Sequence, residues 1–498
     1  MAVTRQTQYR AGSSAHSEAG DAASKRLPLV IQGGMGVGVS NWRLANAVSS
    51  CGQLGVVSGT AIDNVLVRRL QDGDPEGRMR RAMAHFPFPE IAQEALQKFF
   101  LADGRRPGQG YKRVPLSSVK GNDLQLNLTV LGSFSEVFLA KEGHEFPVGM
   151  NLLAKIQLPN LAALYGAMLA GVDCVLMGAG IPREIPRALD ALSRHEPASL
   201  RLDIVAHRGE EAITVCFDPA SFGGERLGPL KRPDFLPIVS SHSLASILLK
   251  KATGSIEGFI VEGPTAGGHN APPRAGKALD DQGQPVYGER DLVDLGKMRE
   301  LGLPFWLAGG TGSPEALKSA LDDGAAGVQV GTLFAFSNES GLGGELKRTV
   351  LEQAHAGGLK VFTDPRASPT GFPFKVVALP GSNSEEEHYL ERRRRCDLGY
   401  LREIYRADDG SLGYRCPAEP TQAYLAKGGR VEDTVGRKCL CNALMANIEL
   451  GQLQQGVAER PLLTSGDDLK EIDRFLQPGL TSYAASDVVE YLLGGLEA

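Results

Sequence analysis

Eight short apolar runs between residues 29 and 330 constrain this chain more than any other feature. They are Leu29–Gln32, Leu54–Ser58, Pro147–Asn151, Cys174–Met177, Leu236–Val239, Phe259–Glu262, Phe305–Ala308 and Val328–Val330. None alternates apolar with polar. A run that is apolar at every position is buried on both faces, as in a parallel sheet covered by helices. Most runs are followed by helical spacing: a helix opened by Ser40 or Asn41, another over Asn160–Ala170, others near 184–194 and 243–252. Alternating β and α units fit a closed barrel or a doubly wound sheet, and eight of them favour a (β/α)8 TIM barrel.

Two stretches break the rhythm. Residues 74–145 are polar, charged and helical in pattern, too long for an ordinary connection. Residues 200–235 contain two β-rich pieces, Leu202–Ala206 and Ile213–Phe217, which read as an inserted hairpin. Residues 1–26 are rich in Ala, Ser, Gly and charge, the composition of a disordered tail rather than a secretory signal. Beyond the barrel, placed at 27–375, residues 376–498 read as a C-terminal helical extension. Net charge is −5 with no domain-wide basic excess, which argues against nucleic acid and anionic membranes as partners. No apolar stretch is long enough for a membrane helix.

The seven cysteines are an odd number in a long chain, which fits a reducing cytoplasm better than a disulfide framework. Cys51, Cys174 and Cys216 fall on expected core elements. Cys396, Cys416, Cys439 and Cys441 lie within 46 residues but lack the common zinc or ferredoxin spacing. A Cys-x-Cys pair on a helix points its thiols apart, so inert buried thiols are expected and no metal ligands are assigned. Arg392-Arg393-Arg394-Arg395, flanked by Glu385-Glu386-Glu387, Glu391 and Asp397, reads as a solvated, ion-paired face.

Barrel chemistry gathers in the loops after the strands. Here those loops are glycine-rich: Gly33–Gly38 after strand one, Gly263–Asn270 after six, Gly309–Gly312 after seven, Gly331-Thr332 after eight. Glycine lets the backbone approach a ligand and direct N–H groups at anionic oxygens. Two such loops after strands seven and eight match the usual phosphate site of this barrel, with Ser313 capping the next helix. His269 follows a strand and two glycines, unshielded, and titrates near neutrality. His242, after strand five, is either a neighbour of the site or a helix-cap contact.

The run Val30–Ser40 resembles the opening motif of the nitronate monooxygenase (2-nitropropane dioxygenase-like) family, with Gly34 where proline is usual. Glu262–His269 resembles its Ala-Gly-Gly-His signature. Leu307–Gly310 and Gln329–Phe334 resemble its two phosphate-binding segments. The resemblance implies a flavoprotein monooxygenase with bound FMN, oxidising alkyl nitronates with O2 to a carbonyl compound and nitrite. It implies a flavin ring near Met35, Gly36 and Asn151, and a phosphate on Gly310, Gly331 and Thr332 beside Gln329. Gly178 and Gly267 would permit close approach, and Gly34, Gly268 and Gly309 complete the cofactor set. His269 would be the base. The expected partners are a small-molecule substrate and O2, with a homo-oligomer left open. The runner-up is an FMN- and NAD(P)H-dependent enoyl-acyl-carrier-protein reductase, which shares barrel, cofactor and a similar Gly-Gly-His motif. A non-catalytic barrel is the third alternative.

Overall fold

The computed structural model describes residues 27–205, 212–276, 278–476 and 481–496. The expected tail, 1–26, and Ala206 lie outside them. The eight apolar runs form eight parallel strands: β1 (Val30–Gln32), β2 (Gly55–Ser58), β3 (Val148–Leu153), β4 (Cys174–Gly178), β5 (Asp234–Val239), β6 (Phe259–Glu262), β7 (Phe305–Ala308) and β8 (Gly327–Val330). Each pairs with its sequence neighbours, and β8 returns to β1 with Val30 opposite Val328. A parallel bridge between Ile31 and Leu54 closes the ring. The fold is a (β/α)8 barrel.

Closure explains why the runs do not alternate. One side of each strand faces the barrel axis, where Ile31, Val56, Leu176, Leu236, Ile260 and Trp306 fill the interior. The other side faces helices, so neither side meets water. The Trp306 indole donates to the Pro28 carbonyl at 2.8 Å, satisfying its one polar atom. Helix starts follow their caps. Asn41 accepts from the Leu44 N–H, and Ser313 accepts from Ala316 with Pro314 in the first turn.

The long helical stretch after β2 has a barrel function. Its last helix, Asp123–Ala140, packs on β2, β3 and the next barrel helix, Gln157–Leu169, so it is the cover of the β2–β3 crossover. Helices Arg78–Ala84 and Pro89–Phe99 are the additional elements.

Several sequence expectations need correction. The inserted hairpin pairs Ala198–Arg201 with Thr214–Phe217. Ile204–Val205, expected in its first strand, instead lies parallel to Glu403–Arg406 of the C-terminal region. That region mixes short helices with the hairpins Glu403–Arg406/Leu412–Arg415 and Leu453–Gln454/Val457–Ala458. Of the three core cysteines, only Cys174 is buried; Cys51 ends a helix and Cys216 sits on an outer hairpin strand, both exposed. His242 opens the helix His242–Lys251 behind the Ser241 cap, and no described cavity includes it.

Among the described residues no helix is long and apolar enough to cross a membrane. The C-terminal region is joined to the barrel by buried polar contacts. Arg68, on the helix after β2, donates to the Leu450 carbonyl at 2.6 Å and pairs with Asp397 at 3.3 Å, both side chains almost fully buried. A buried pair loses several kcal/mol per partner removed, so these contacts fix the docking geometry more than they add stability.

Candidate functional site

The loops at the C-terminal ends of the strands enclose a cavity of about 520 Å3. His269 lines it. So do all twelve expected cofactor residues: Gly34, Met35, Gly36, Asn151, Gly178, Gly267, Gly268, Gly309, Gly310, Gln329, Gly331 and Thr332. These thirteen residues come from six of the eight strand ends, and Thr60 after β2 and Ile238 to Ser240 at β5 bring in the other two, although Gly34 and Thr332 are almost 300 positions apart in the chain.

Local chemistry holds each loop in shape. In the opening loop, Ser40 Oγ accepts from the Met35 N–H at 2.8 Å and from Gln32 Nε2 at 2.7 Å, and donates to the Gly33 carbonyl. Gln32 Oε1 accepts from Val56 across the sheet. After β7, Gly309 and Gly310 have φ of +90° and +69°, and a Cβ on either would press on Thr265. No other residue type meets both conditions cheaply.

The loop bearing His269 is pinned on both sides. Gly268 N–H donates to Thr464 Oγ1 at 2.9 Å, and Asn270 N–H to the Pro373 carbonyl at 2.9 Å. His269 also bridges Phe374, on the second strand of the hairpin Val361–Asp364/Phe374–Val377. The connection of that hairpin delivers Ser368, whose hydroxyl lies 2.6 Å from His269 Nε2 and 2.8 Å from Thr370 Oγ1. Phe374 meets the imidazole edge-on at 4.9 Å. Enclosure among these groups pushes the His269 pKa down to about 4, so the ring is neutral at pH 7.

Glu262, at the end of β6, faces the same cavity. Burial pushes its carboxyl up to about 8. The site therefore holds a neutral imidazole and a protonated carboxyl. Pairs of groups displaced from their usual pKa values mark sites of proton transfer more often than structural cores.

Sequence reasoning missed three contributors. Ser368 and Thr370 carry no motif of their own. Thr464, Ser465, Gly466 and Asp468 come from the C-terminal region and line the wall beside Gly267 and Thr332. Gly466 N–H donates to Thr332 Oγ1 at 3.0 Å, so that hydroxyl is already engaged. Asp468 accepts from the Gly312 N–H, and burial raises its pKa. Glu262 was visible as part of the Glu-Gly-Pro-Thr-Ala-Gly-Gly-His run, but nothing in the run itself marks its carboxyl as protonated.

The residues present fit a flavin mononucleotide. The cavity lies within the size range of small-molecule and cofactor sites, and its surface is mainly apolar. Glycines line both the opening loop and the phosphate end. Two lining residues, Gln329 and Asn270, carry buried side-chain oxygens that lack any protein donor. Such atoms are costly unless a bound group or water supplies the missing donor. Asp468 alone opposes a phosphoryl group there.

Barrel, glycine loops and cavity define the class of site, a cofactor-type cavity at the C-terminal mouth of a (β/α)8 barrel. Comparison with known families sharpens this: residues 188–364 match the family described as nitronate monooxygenase. No curated protein matches the chain in sequence. Similar solved structures include FabK from Thermotoga maritima, at 18% identity and TM-score 0.47, covering 95% of this chain and 93% of that one. Nitroalkane oxidase from Streptomyces ansochromogenes aligns at 15% identity and TM-score 0.44, covering 95% and 96%. The enoyl reductase domain of MlnA from the macrolactin biosynthesis cluster of Bacillus amyloliquefaciens aligns at 13% identity and TM-score 0.46, covering 94% of each chain.

Proposed function

We propose that the protein is an FMN-dependent nitronate monooxygenase, converting an alkyl nitronate and O2 to a carbonyl compound and nitrite. The observation that carries this reading is the meeting of His269 and the twelve glycine-loop and strand-end residues around one cavity. Backbone N–H groups of Gly310 and Gly331 would hold the phosphate, and Gln329 and Asn270 would accept from the cofactor's donors. Bound FMN supplies a ring that takes an electron pair from the substrate and passes it to dioxygen.

The chain's own part is binding, orientation and proton handling. Leu153, Ile238, Leu244 and Phe372 give the cavity an apolar wall that keeps water from the reacting atoms. For His269 Nδ1 to take a proton, Nε2–H donates to Ser368 Oγ, whose own proton points to Thr370 Oγ1. A ring with a pKa of about 4 is by itself a weak base. A substrate bound as the neutral nitroalkane would give its α-proton to Nδ1 and become the nitronate, whose charge stabilises the imidazolium.

One observation favours a second reading. A carboxyl that keeps its proton at neutral pH, as Glu262 does, is a proton donor. Reduction of an enoyl thioester by NAD(P)H through FMN consumes a proton at carbon. An absorption spectrum of the purified protein, identification of the released flavin and anaerobic titration separate the readings. Bleaching by an alkyl nitronate and not by NADPH supports the monooxygenase. Rapid bleaching by NADPH supports the reductase, and a colourless protein that FMN cannot reconstitute rejects both.

A further inference from the structure

Cys396, Cys416, Cys439 and Cys441 all line one small cavity of about 20 Å3 in the C-terminal region. The sequence argument against a shared site was the helical direction of Cys-x-Cys, and it does not apply here. Cys439 is the N-cap of the helix Leu440–Asn447, with φ −76° and ψ 82°, so it points differently from Cys441 inside the first turn. The backbone N–H groups of Leu398 and Gly399 stand against the Cys396 sulfur, and that of Ala418 against Cys416. Amide donors beside a sulfur are outer contacts of the kind that orient a ligating cysteine.

The arginine run supplies an independent observation. Arg392 is not on a solvated face: its side chain is 7% exposed and its Nε pairs with buried Glu459 at 2.5 Å. Its other two nitrogens, Nη1 and Nη2, are buried and find no hydrogen-bond partner among the described residues. Arg394, Arg395 and Arg402 line the same cavity. One carboxylate, Glu419, also lines it, and Lys427 neutralises that group at 2.7 Å. With Arg392 paired to Glu459, three guanidinium groups still stand around four neutral thiols. Four thiolates on a divalent ion carry a net charge of −2, which gives the guanidinium groups an anion to face.

We propose that these four cysteines form a structural tetrathiolate zinc site. Thiolates select soft or borderline ions, and four of them without an open position describe structural zinc. The space admits one ion rather than an iron–sulfur core. Among the described residues no three histidine, cysteine or acidic side chains stand together closely enough to hold a metal ion as they are, so the proposed site requires the thiols to turn inward on binding. The site would also steady the catalytic loop. Next to Cys439, the Lys438 N–H donates to the Ala367 carbonyl at 2.8 Å, and Arg437 donates to the Ser368 carbonyl at 2.5 Å. Ser368 is the partner of His269.

The test uses the full chain and does not depend on flavin. Elemental analysis after gel filtration should find about one zinc per chain, and blocking the thiols with a mercurial should release it. Cobalt offered to the stripped protein should give the visible spectrum of a tetrahedral cobalt thiolate. Cys416→Ser and Cys439→Ser should lose the metal while Cys51→Ser keeps it. If those variants do not fold, the wild-type cobalt spectrum decides. Iron with acid-labile sulfide in place of zinc, zinc retained by Cys416→Ser, or a stripped protein whose thiols give no thiolate spectrum with cobalt would each overturn the proposal.

Discussion

The barrel and the C-terminal region build the same cavity by opposite means. The barrel contributes residues whose positions follow from a repeated local rule: an apolar strand, then a loop, then a helix. The C-terminal region contributes Thr464 to Asp468 through contacts that no local rule announces. Its place is fixed by single polar links such as Arg68 to Asp397, Gly268 to Thr464 and Thr332 to Gly466. The difference teaches where chemistry is specified: the repeat supplies the cofactor platform, and the irregular region supplies the walls.

The largest expected effect lies on the barrel side. His269→Asn should keep the flavin and lower the rate of flavin reduction by the neutral nitroalkane, whose α-proton a base must remove, about 10²–10⁴-fold, the usual range for loss of a positioned base, with a much smaller effect on the preformed nitronate. In the wild type, kcat/KM should fall as pH drops through about 4, where the free enzyme protonates His269. Rapid-mixing measurements under anaerobic conditions check both. A variant that reduces at the wild-type rate would remove His269 from the mechanism.

The seam between the two regions comes next. A Cβ on Gly267 would lie 2.8 Å from the Gly466 nitrogen and 2.9 Å from the Ser465 carbonyl carbon, both backbone atoms. Gly267→Val should therefore cost about 1–3 kcal/mol of stability and weaken flavin binding roughly tenfold. Gly263→Ala, whose nearest neighbour would be 3.5 Å away, should change little. Thermal denaturation and flavin titration compare the two. Equal behaviour would mean that residues 465 and 466 do not form a wall of the site.

How far the site was legible follows from the same contrast. Eight strands, the caps Asn41 and Ser313 and every glycine loop were readable because each depends on residues within a few positions of one another. Ser368, Thr464 and Asp468 were not, because their meaning arises only after the chain returns over the barrel mouth. Within the arginine run, Arg393 and Arg395 are exposed as expected and only Arg392 departs from a solvated face, for a related reason. A block of mixed charge is usually solvated, and burial of Arg392 beside Glu459 is a tertiary fact.

A smaller effect tests the one feature that opposes a phosphoryl group. Asp468 is held near Gly312, and its carboxyl is pushed up by burial. Removing that charge while keeping an oxygen that can accept from Gly312 should favour an anion. Asp468→Asn is expected to tighten FMN binding about threefold at neutral pH, with less gain below the carboxyl's own titration. Fluorescence titration of the stripped protein reads the change. Unchanged or weaker binding would place the phosphate elsewhere in the cavity.

The last expected effect concerns the stability that Glu262 contributes, and its sign follows from linkage. Folding raises this pKa from 4.5 to about 8, so the folded chain holds a proton that the unfolded chain releases between those values. Stability from this group is therefore complete below pH 4.5 and lost as pH rises through about 8. His269 acts on the other side. Its pKa falls from 6.5 to about 4 on folding, so it withdraws stability as pH drops through that interval. Glu262→Gln should leave Tm almost unchanged at pH 4.5 and raise it by a few degrees above pH 8, in the flavin-free protein. A rise of the same size at both pH values would mean that the carboxyl is charged throughout, and that the cavity holds no proton donor at the end of β6.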